Sequence, residues 1–300
     1  MKTQQENSIK INSRKVPNVL FLGNGMLRLN GGDSWNDLLA GLNGNQNISS
    51  VIKEVPTAMQ PECICGTDVE EIQRKTAGLI TDSSPHLLLE KILSLPFDAI
   101  LTTNYTYEIE KILCGNRWNE YQRRRAFCSL TGDCHVRHNT NICNLIRCRN
   151  GRIIPVFHIH GESARKHSMV LSYYSYAKMV HNLIEENKRI GNSYFELQQQ
   201  GEMIPVRSWL DYFILGNVWT VGFGFDASEF DVWWAIERKD REIAEHGQII
   251  SYMIDDPDKT ADIKQALFWG MGVKERRVRF DGSYENSYAE IINDIMAEIS

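Results

Sequence analysis

Four short apolar runs in this chain each break off in glycine or small polar residues just before helical sequence begins. VPNVLFLG (16–23) leads into NGMLRLNGG, PFDAIL (96–101) into TTNY, GRIIPVF (151–157) into HIHG, and NVWTV (217–221) into GFGFDAS. Each run has the length of a strand and is rich in β-branched and aromatic residues, the pattern of a strand covered on both faces. Between the runs, apolar residues return at helical spacing. Trp35, Leu38, Leu39 and Leu42 do so behind Ser34, a helix-capping residue type. Ser84 and Pro85 read as the start of a helix ending near residue 95. Ser228 and Gly247 read as the ends of a long amphipathic helix. Further strands are expected at 248–255 and 276–280, with a short one after His167. Further helices are expected at 206–216, 258–269 and 285–299.

About six strands alternating with helices predict an α/β fold: a Rossmann-like, doubly wound parallel sheet flanked by helices. The chain 1–300 reads as a single domain with helical or irregular inserts near 44–83 and 116–150. Its net charge of −5 argues weakly against nucleic-acid binding. One stretch dissents: Arg123, Arg124, Arg125, Arg137, Arg147, Arg149 and Arg152 face a single acid, Asp133. That stretch is a solvated insert or a docking surface for phosphate or an acidic partner. Cys128, Cys134, Cys143 and Cys148, with His135 and His138 between them, lack the close cysteine pairs of zinc sites, so reduced thiols and no metal are expected. No apolar run is long enough to cross a bilayer, and the polar N-terminus lacks a signal region. A soluble cytoplasmic protein with no membrane contact is the expectation.

In a parallel sheet the carboxyl ends of the strands share one edge, so the four polar ends can converge on one crevice. Gly23, Asn24 and Gly25 form a tight turn that a ligand can approach closely, and its amides suit a pyrophosphate. Arg28 stands where the dinucleotide fingerprint has its third glycine. Asn104 offers a donor and an acceptor to a ribose hydroxyl or a water, although Thr102, Thr103 and Asn104 equally suit a helix cap. His158 and His160 share a strand face. His160, at the strand end, is placed as a general base. A core histidine and a two-histidine metal site are the alternatives, and the deeper His158 suits a structural role. Gly222 and Gly224 again allow close approach. Asp226, Ser228 or Asp231 suits either a ribose or a helix cap.

In this order the segments resemble the sirtuin-like superfamily. The family motif G-A-G-x-S-x-x-S-G-I-P-D-F-R lies without gaps on GNGMLRLNGGDSWN (23–36), matching Gly23, Gly25 and Gly31 and placing Trp35 at the aromatic position. TTNY resembles the T-T-N-Y-D of bacterial sirtuin-like antiphage-defence proteins. HIHG carries the H-G of the catalytic histidine, and VGFGFDASEFDVWW resembles a late G-x-S-x-x-D segment. The resemblance implies NAD as substrate. It casts Asn104 as the residue that positions water and the nicotinamide ribose, and His160 as the base. Gly23, Asn24, Gly25, Trp35, Thr103, Gly222, Gly224 and Asp226 would hold the dinucleotide. Leu27, Thr106, Ser34 and Asn36 depart from the motifs, and no C-x-x-C pairs follow His160. The resemblance therefore points to an NAD glycohydrolase of antiviral defence rather than to a zinc-bearing deacylase. An NAD-dependent deacylase or ADP-ribosyltransferase, and a non-catalytic module binding NAD or ADP-ribose, are the alternatives. An unregulated NADase would harm its host, so a homo-oligomer or a separate regulatory partner protein is expected.

Overall fold

The computed structural model describes residues 9–12, 15–44, 47–118, 127–129, 139–148, 150–190, 201, 203–241, 247–255 and 263–299. Along the chain come β1 (Lys10–Asn12), β2 (Asn18–Leu22), α1 (Trp35–Leu42), α2 (Ser50–Glu54), α3 (Gln60–Cys65), α4 (Val69–Leu79) and α5 (Leu87–Leu93). Then follow β3 (Ala99–Thr102), α6 (Glu108–Cys114), β4 (Phe127–Ser129), β5 (Ile142–Arg147), β6 (Ile153–His158) and α7 (Tyr173–Ile190). The last third holds β7 (Met203–Pro205), α8 (Trp209–Leu215), β8 (Asn217–Val221), α9 (Phe230–Asp240), β9 (Ile249–Asp255), α10 (Ile263–Gly270), β10 (Lys274–Arg279) and α11 (Tyr284–Ile299).

One sheet has eight strands in the order β10-β9-β8-β2-β3-β6-β5-β4. The six strands from β10 to β6 are mutually parallel. β5 and β4 add an antiparallel edge. Alternate residues of β2 go to opposite faces, as the strand period requires. Val19 and Phe21 enter one core with α8, α9 and Phe268, whereas Leu20 and Leu22 enter a second core with α5, α6 and α11. Each such side chain, fully buried, contributes about 1.5–3 kcal/mol. Helices thus cover both faces, and the fold is α/β with a mostly parallel sheet. Among the described residues no helix is long and apolar enough to cross a membrane.

The sheet's order places a reversal beside β2. The chain moves from β2 to β3 and β6 on one side, then returns to lay β8 against the other side of β2. Doubly wound sheets bind ligands at such a reversal, outside the carboxyl ends of the strands. The ends of β2 and β8 meet there backbone to backbone. Gly23 N–H donates to Val221 O at 3.0 Å and Gly25 N–H to Gly222 O at 2.8 Å. A Cβ on Gly23 would lie 2.4 Å from Gly222 O and from Phe223 Cα.

Several expectations need correction. The short strand after His167 does not form: Ser163–Ser168 is a 3-10 turn and α7 starts at Tyr173. Val170 N–H instead meets His160 O at 2.8 Å, so the segment is tied to the strand end without joining the sheet. The insert near 116–150 is not merely irregular, because Ile142–Arg147 extends the sheet. The N-terminal segment supplies β1, which pairs with β7 in a two-stranded ribbon. Ser34 caps α1 in a capping box with Asp37. The cap of α5, however, is His86 rather than Ser84, and α9 starts after Glu229 and ends at Asp240. The insert near 44–83 forms the short helices α2, α3 and α4. Arg123, Arg124, Arg125, Arg137 and Arg149, with Cys134, His135 and His138, lie outside the described residues, as does the side chain of Cys128. Cys114, Cys143 and Cys148 are buried.

The glycine contact sets the first prediction. Gly23→Ala forces backbone against backbone, so it should lower stability by about 1–3 kcal/mol. A urea titration followed by far-ultraviolet circular dichroism reads this, and an unchanged midpoint would contradict the close packing.

Candidate functional site

A cleft of about 900 Å³ runs along the carboxyl ends of the parallel strands. Its wall includes Asn24, Gly25, Trp35, Thr103, Asn104, His160, Gly222, Gly224 and Asp226. Of the ten site residues expected from sequence, only Gly23 is not in this wall: it is buried behind it, against Gly222 and Phe223.

Asn104 follows β3 and is buried. Its N–H donates to Thr102 Oγ1 at 3.1 Å, and Thr102 Oγ1 donates to Leu22 O at 2.8 Å. Its side-chain Nδ2 donates to Gly23 O at 3.3 Å. Asn104 is therefore tied to the end of β2 through both its backbone and its amide. Thr103 stands half-buried beside it in the wall.

His160 follows β6, the neighbour of β3 in the sheet. Only 2% of its surface is exposed. Its Nε2 lies 2.9 Å from Asp231 Oδ2, and its ring meets Tyr176 edge to face at 5.4 Å. Burial alone lowers the imidazole pKa, but the Asp231 carboxylate carries it above its ordinary value. An ionised Asp231 places a proton on Nε2 and leaves Nδ1 to exchange one, the division of labour of an Asp–His dyad. His158 Nε2 instead lies 2.7 Å from Glu110 Oε1, so the two histidines have separate partners. Among the described residues no group of three or more His, Cys, Asp or Glu is placed to hold a metal ion.

Two binding roles suggested by the sequence change once the partners are known. The amides of Gly23 and Gly25, which suited a pyrophosphate, already donate to the β8 turn. Asp226, which suited a ribose, uses both carboxylate oxygens. Oδ1 accepts from Ser228 N at 2.9 Å and from its Oγ at 2.6 Å, and Oδ2 accepts from Thr57 Oγ1 at 2.7 Å. Ser228 Oγ in turn accepts from Ala58 N–H at 3.0 Å. Asp226 and Ser228 therefore fasten the insert between α2 and α3 onto the β8 turn. Trp35 makes a similar link, with Nε1 donating to Gln60 Oε1 at 2.8 Å.

The turn after β8 carries backbone strain. Phe225 has φ of 50°, a left-handed conformation that costs a non-glycine residue about 1–3 kcal/mol. Its ring is held by Phe223 at 4.5 Å and Phe268 at 4.8 Å, both edge to face. That cage presents Gly224 and Asp226 to the cleft. Glu229, also in the wall, was not singled out from sequence. Burial pushes its carboxyl up to about 7; His160 opposes this and Asp231 adds to it. Its sequence looks like ordinary helix-start acid, and only the burial gives it a proton to exchange near neutrality.

Comparison with known proteins adds no family: no family model matches the chain, and no curated protein matches it. The cleft therefore speaks through its own geometry.

Gly224 supplies the second prediction. A Cβ there meets nothing within 4 Å, so Gly224→Ala should leave stability within about 0.5 kcal/mol of wild type. If a ligand lies against this backbone, calorimetric titration with NAD should show affinity falling about tenfold or more for Gly224→Ala, roughly 1.4 kcal/mol. Equal affinity would place the ligand elsewhere.

Proposed function

We propose that the chain is an NAD glycohydrolase, cleaving NAD with water to nicotinamide, ADP-ribose and a proton. One observation carries the reading: Asn104 and His160 stand on adjacent strand ends in a cleft that opens where the sheet reverses. The strand order β10-β9-β8-β2-β3-β6 is that of the Rossmann-like dinucleotide-binding sheets and supports the same ligand class. The sirtuin-like motifs on these same residues point the same way. The role in antiphage defence rests on that resemblance.

The chemistry asks little of the protein beyond placement. The bond from C1′ of the ribose to nicotinamide breaks as positive charge gathers on the ribose. Asn104 is a fixed dipole at the end of β3, and fixed dipoles beside developing charge lower barriers without reorganising. Water adds to C1′, and His160 takes the proton it loses at Nδ1 and passes it to solvent, while Asp231 stabilises the transient imidazolium. Trp35 and Tyr105 would wall the nicotinamide end, and Gly224 would let the nucleotide lie close to the β8 turn. Burial of the dyad excludes bulk water and strengthens its electrostatics.

A non-catalytic NAD- or ADP-ribose-binding module is the second reading. The engagement of Asp226 with the insert favours it, because both oxygens of that carboxylate are committed to protein donors rather than left for a reacting ribose.

The test is nicotinamide release from NAD by the purified chain across a concentration series. Asn104→Ala and His160→Ala should each lower kcat by about 10²–10⁴-fold with folding intact. NAD binding without release at any concentration selects the binding module, and neither binding nor release removes both readings.

The dyad also predicts a pH dependence. A base must be neutral to act, and Asp231 raises the pKa of His160, so wild-type activity should climb as pH rises through that raised pKa. Asp231→Asn removes the carboxylate, so the acid limb of kcat should move to lower pH while the plateau falls. A limb that stays in place would mean that His160 is not the group that titrates.

A further inference from the structure

His158 lies beneath Asn104, and both of its ring nitrogens are committed. Nδ1 is 2.6 Å from the backbone oxygen of Asn104, and Nε2 is 2.7 Å from Glu110 Oε1. A backbone carbonyl only accepts, and so does an ionised carboxylate. Where both partners accept, each ring nitrogen carries a proton and the ring is an imidazolium.

The surroundings fit a buried cation. Glu110, from α6, is fully buried, and Glu162, just past β6, is buried as well. Asn144 of β5 donates through Nδ2 to Glu110 Oε1 at 2.9 Å. Arg165 pairs with Glu162. The Tyr107 ring stands 5.6 Å from the His158 ring. Two carboxylates thus face one imidazolium and one guanidinium. Burial pushes His158 down, but Glu110, then Glu162 and the Asn104 carbonyl, lift it to about 9.

We propose that His158 is a positioning residue: its doubly protonated ring clamps the backbone of Asn104 and so sets where the Asn104 amide stands in the cleft. The clamp completes a frame. Thr102 Oγ1 holds the N–H of Asn104, Gly23 O holds its side chain, and His158 holds its carbonyl. His158, one pleat deeper than His160, suits a structural role. The geometry gives that role a charge and a target. As a contribution to catalysis, the assignment rests on the hydrolase reading of the cleft.

The test has two arms. In the first, nitrogen NMR of histidine-labelled protein should show both ring nitrogens of His158 protonated from pH 6 to 8, and His158→Gln should displace the side-chain amide resonance of Asn104. One bare nitrogen at pH 7, or an Asn104 resonance unmoved by His158→Gln, overturns the proposal. This arm needs no turnover, so it decides the clamp even if wild type releases no nicotinamide and the hydrolase reading falls. In the second arm, on active enzyme, His158→Gln should lower kcat about 100-fold with KM changed far less, the cost of misplacing a positioned group by about 1 Å. Glu110→Gln keeps the shape of the cluster but removes the main charge that holds the proton. It should therefore bring the alkaline loss of kcat from about pH 9 towards neutrality. If kcat in Glu110→Gln keeps the wild-type alkaline limb, the charge on His158 plays no part in the reaction. Thermal melts of both variants separate these effects from unfolding.

Discussion

The structure depends on one contact, where the turn after β2 and the turn after β8 press backbone against backbone. Two hydrogen bonds, Gly23 to Val221 and Gly25 to Gly222, lock it. No side chain fits between them, because a Cβ on Gly25 would lie 2.8 Å from Gly222 Cα. From this lock Asn104 takes its side-chain acceptor, Gly23 O. The β8 turn then leads through the strained Phe225 to Asp226, which holds the insert. The glycines hold the frame of the cleft together, whatever lies in it.

Burial of charge is the second constraint. His160 with Asp231 and His158 with Glu110 are two imidazole–carboxylate pairs on one strand and its extension, both almost wholly out of water. Buried ions cost several kcal/mol each unless paired and hydrogen-bonded. The two pairs have different second partners. His158 has an acceptor at its other nitrogen and holds its charge. His160 lines the cleft with Nδ1 left to exchange a proton. Two residues apart, the same side chain thus serves once as a fixed cation and once as a group suited to take a proton.

The central strands were legible because a buried parallel strand writes itself as an unbroken apolar run, and its end is marked by glycine or small polar residues. That signal brings Gly25, Asn104, His160, Gly222 and Gly224 to one edge of the sheet, and the wall of one cleft holds all five. What the chain hides is pairing at long range. Nothing local in Asp226 or Ser228 says that Thr57 and Ala58 will meet them, about 170 residues earlier. Capping is the local reading of both residues, and the tertiary contact overrides it. β5 is hidden because its run ICNLIR, inside an arginine- and cysteine-rich stretch, is broken by Asn144 and lacks the clean apolar run of the central strands. Glu229 escaped because burial, not residue type, gives it its chemistry.

The interlocked turns carry an evolutionary consequence. The ends of β2 and β8 lie about 200 positions apart, yet neither Gly23 nor Gly25 can gain a side chain while the backbone of the β8 turn stays where it is. The two glycine motifs therefore form one heritable unit. Drift in a lineage would retain both or remodel both together. The α2–α4 insert, which reaches the cleft wall at Thr57, is free to diverge and to adapt to a new ligand on an unchanged floor.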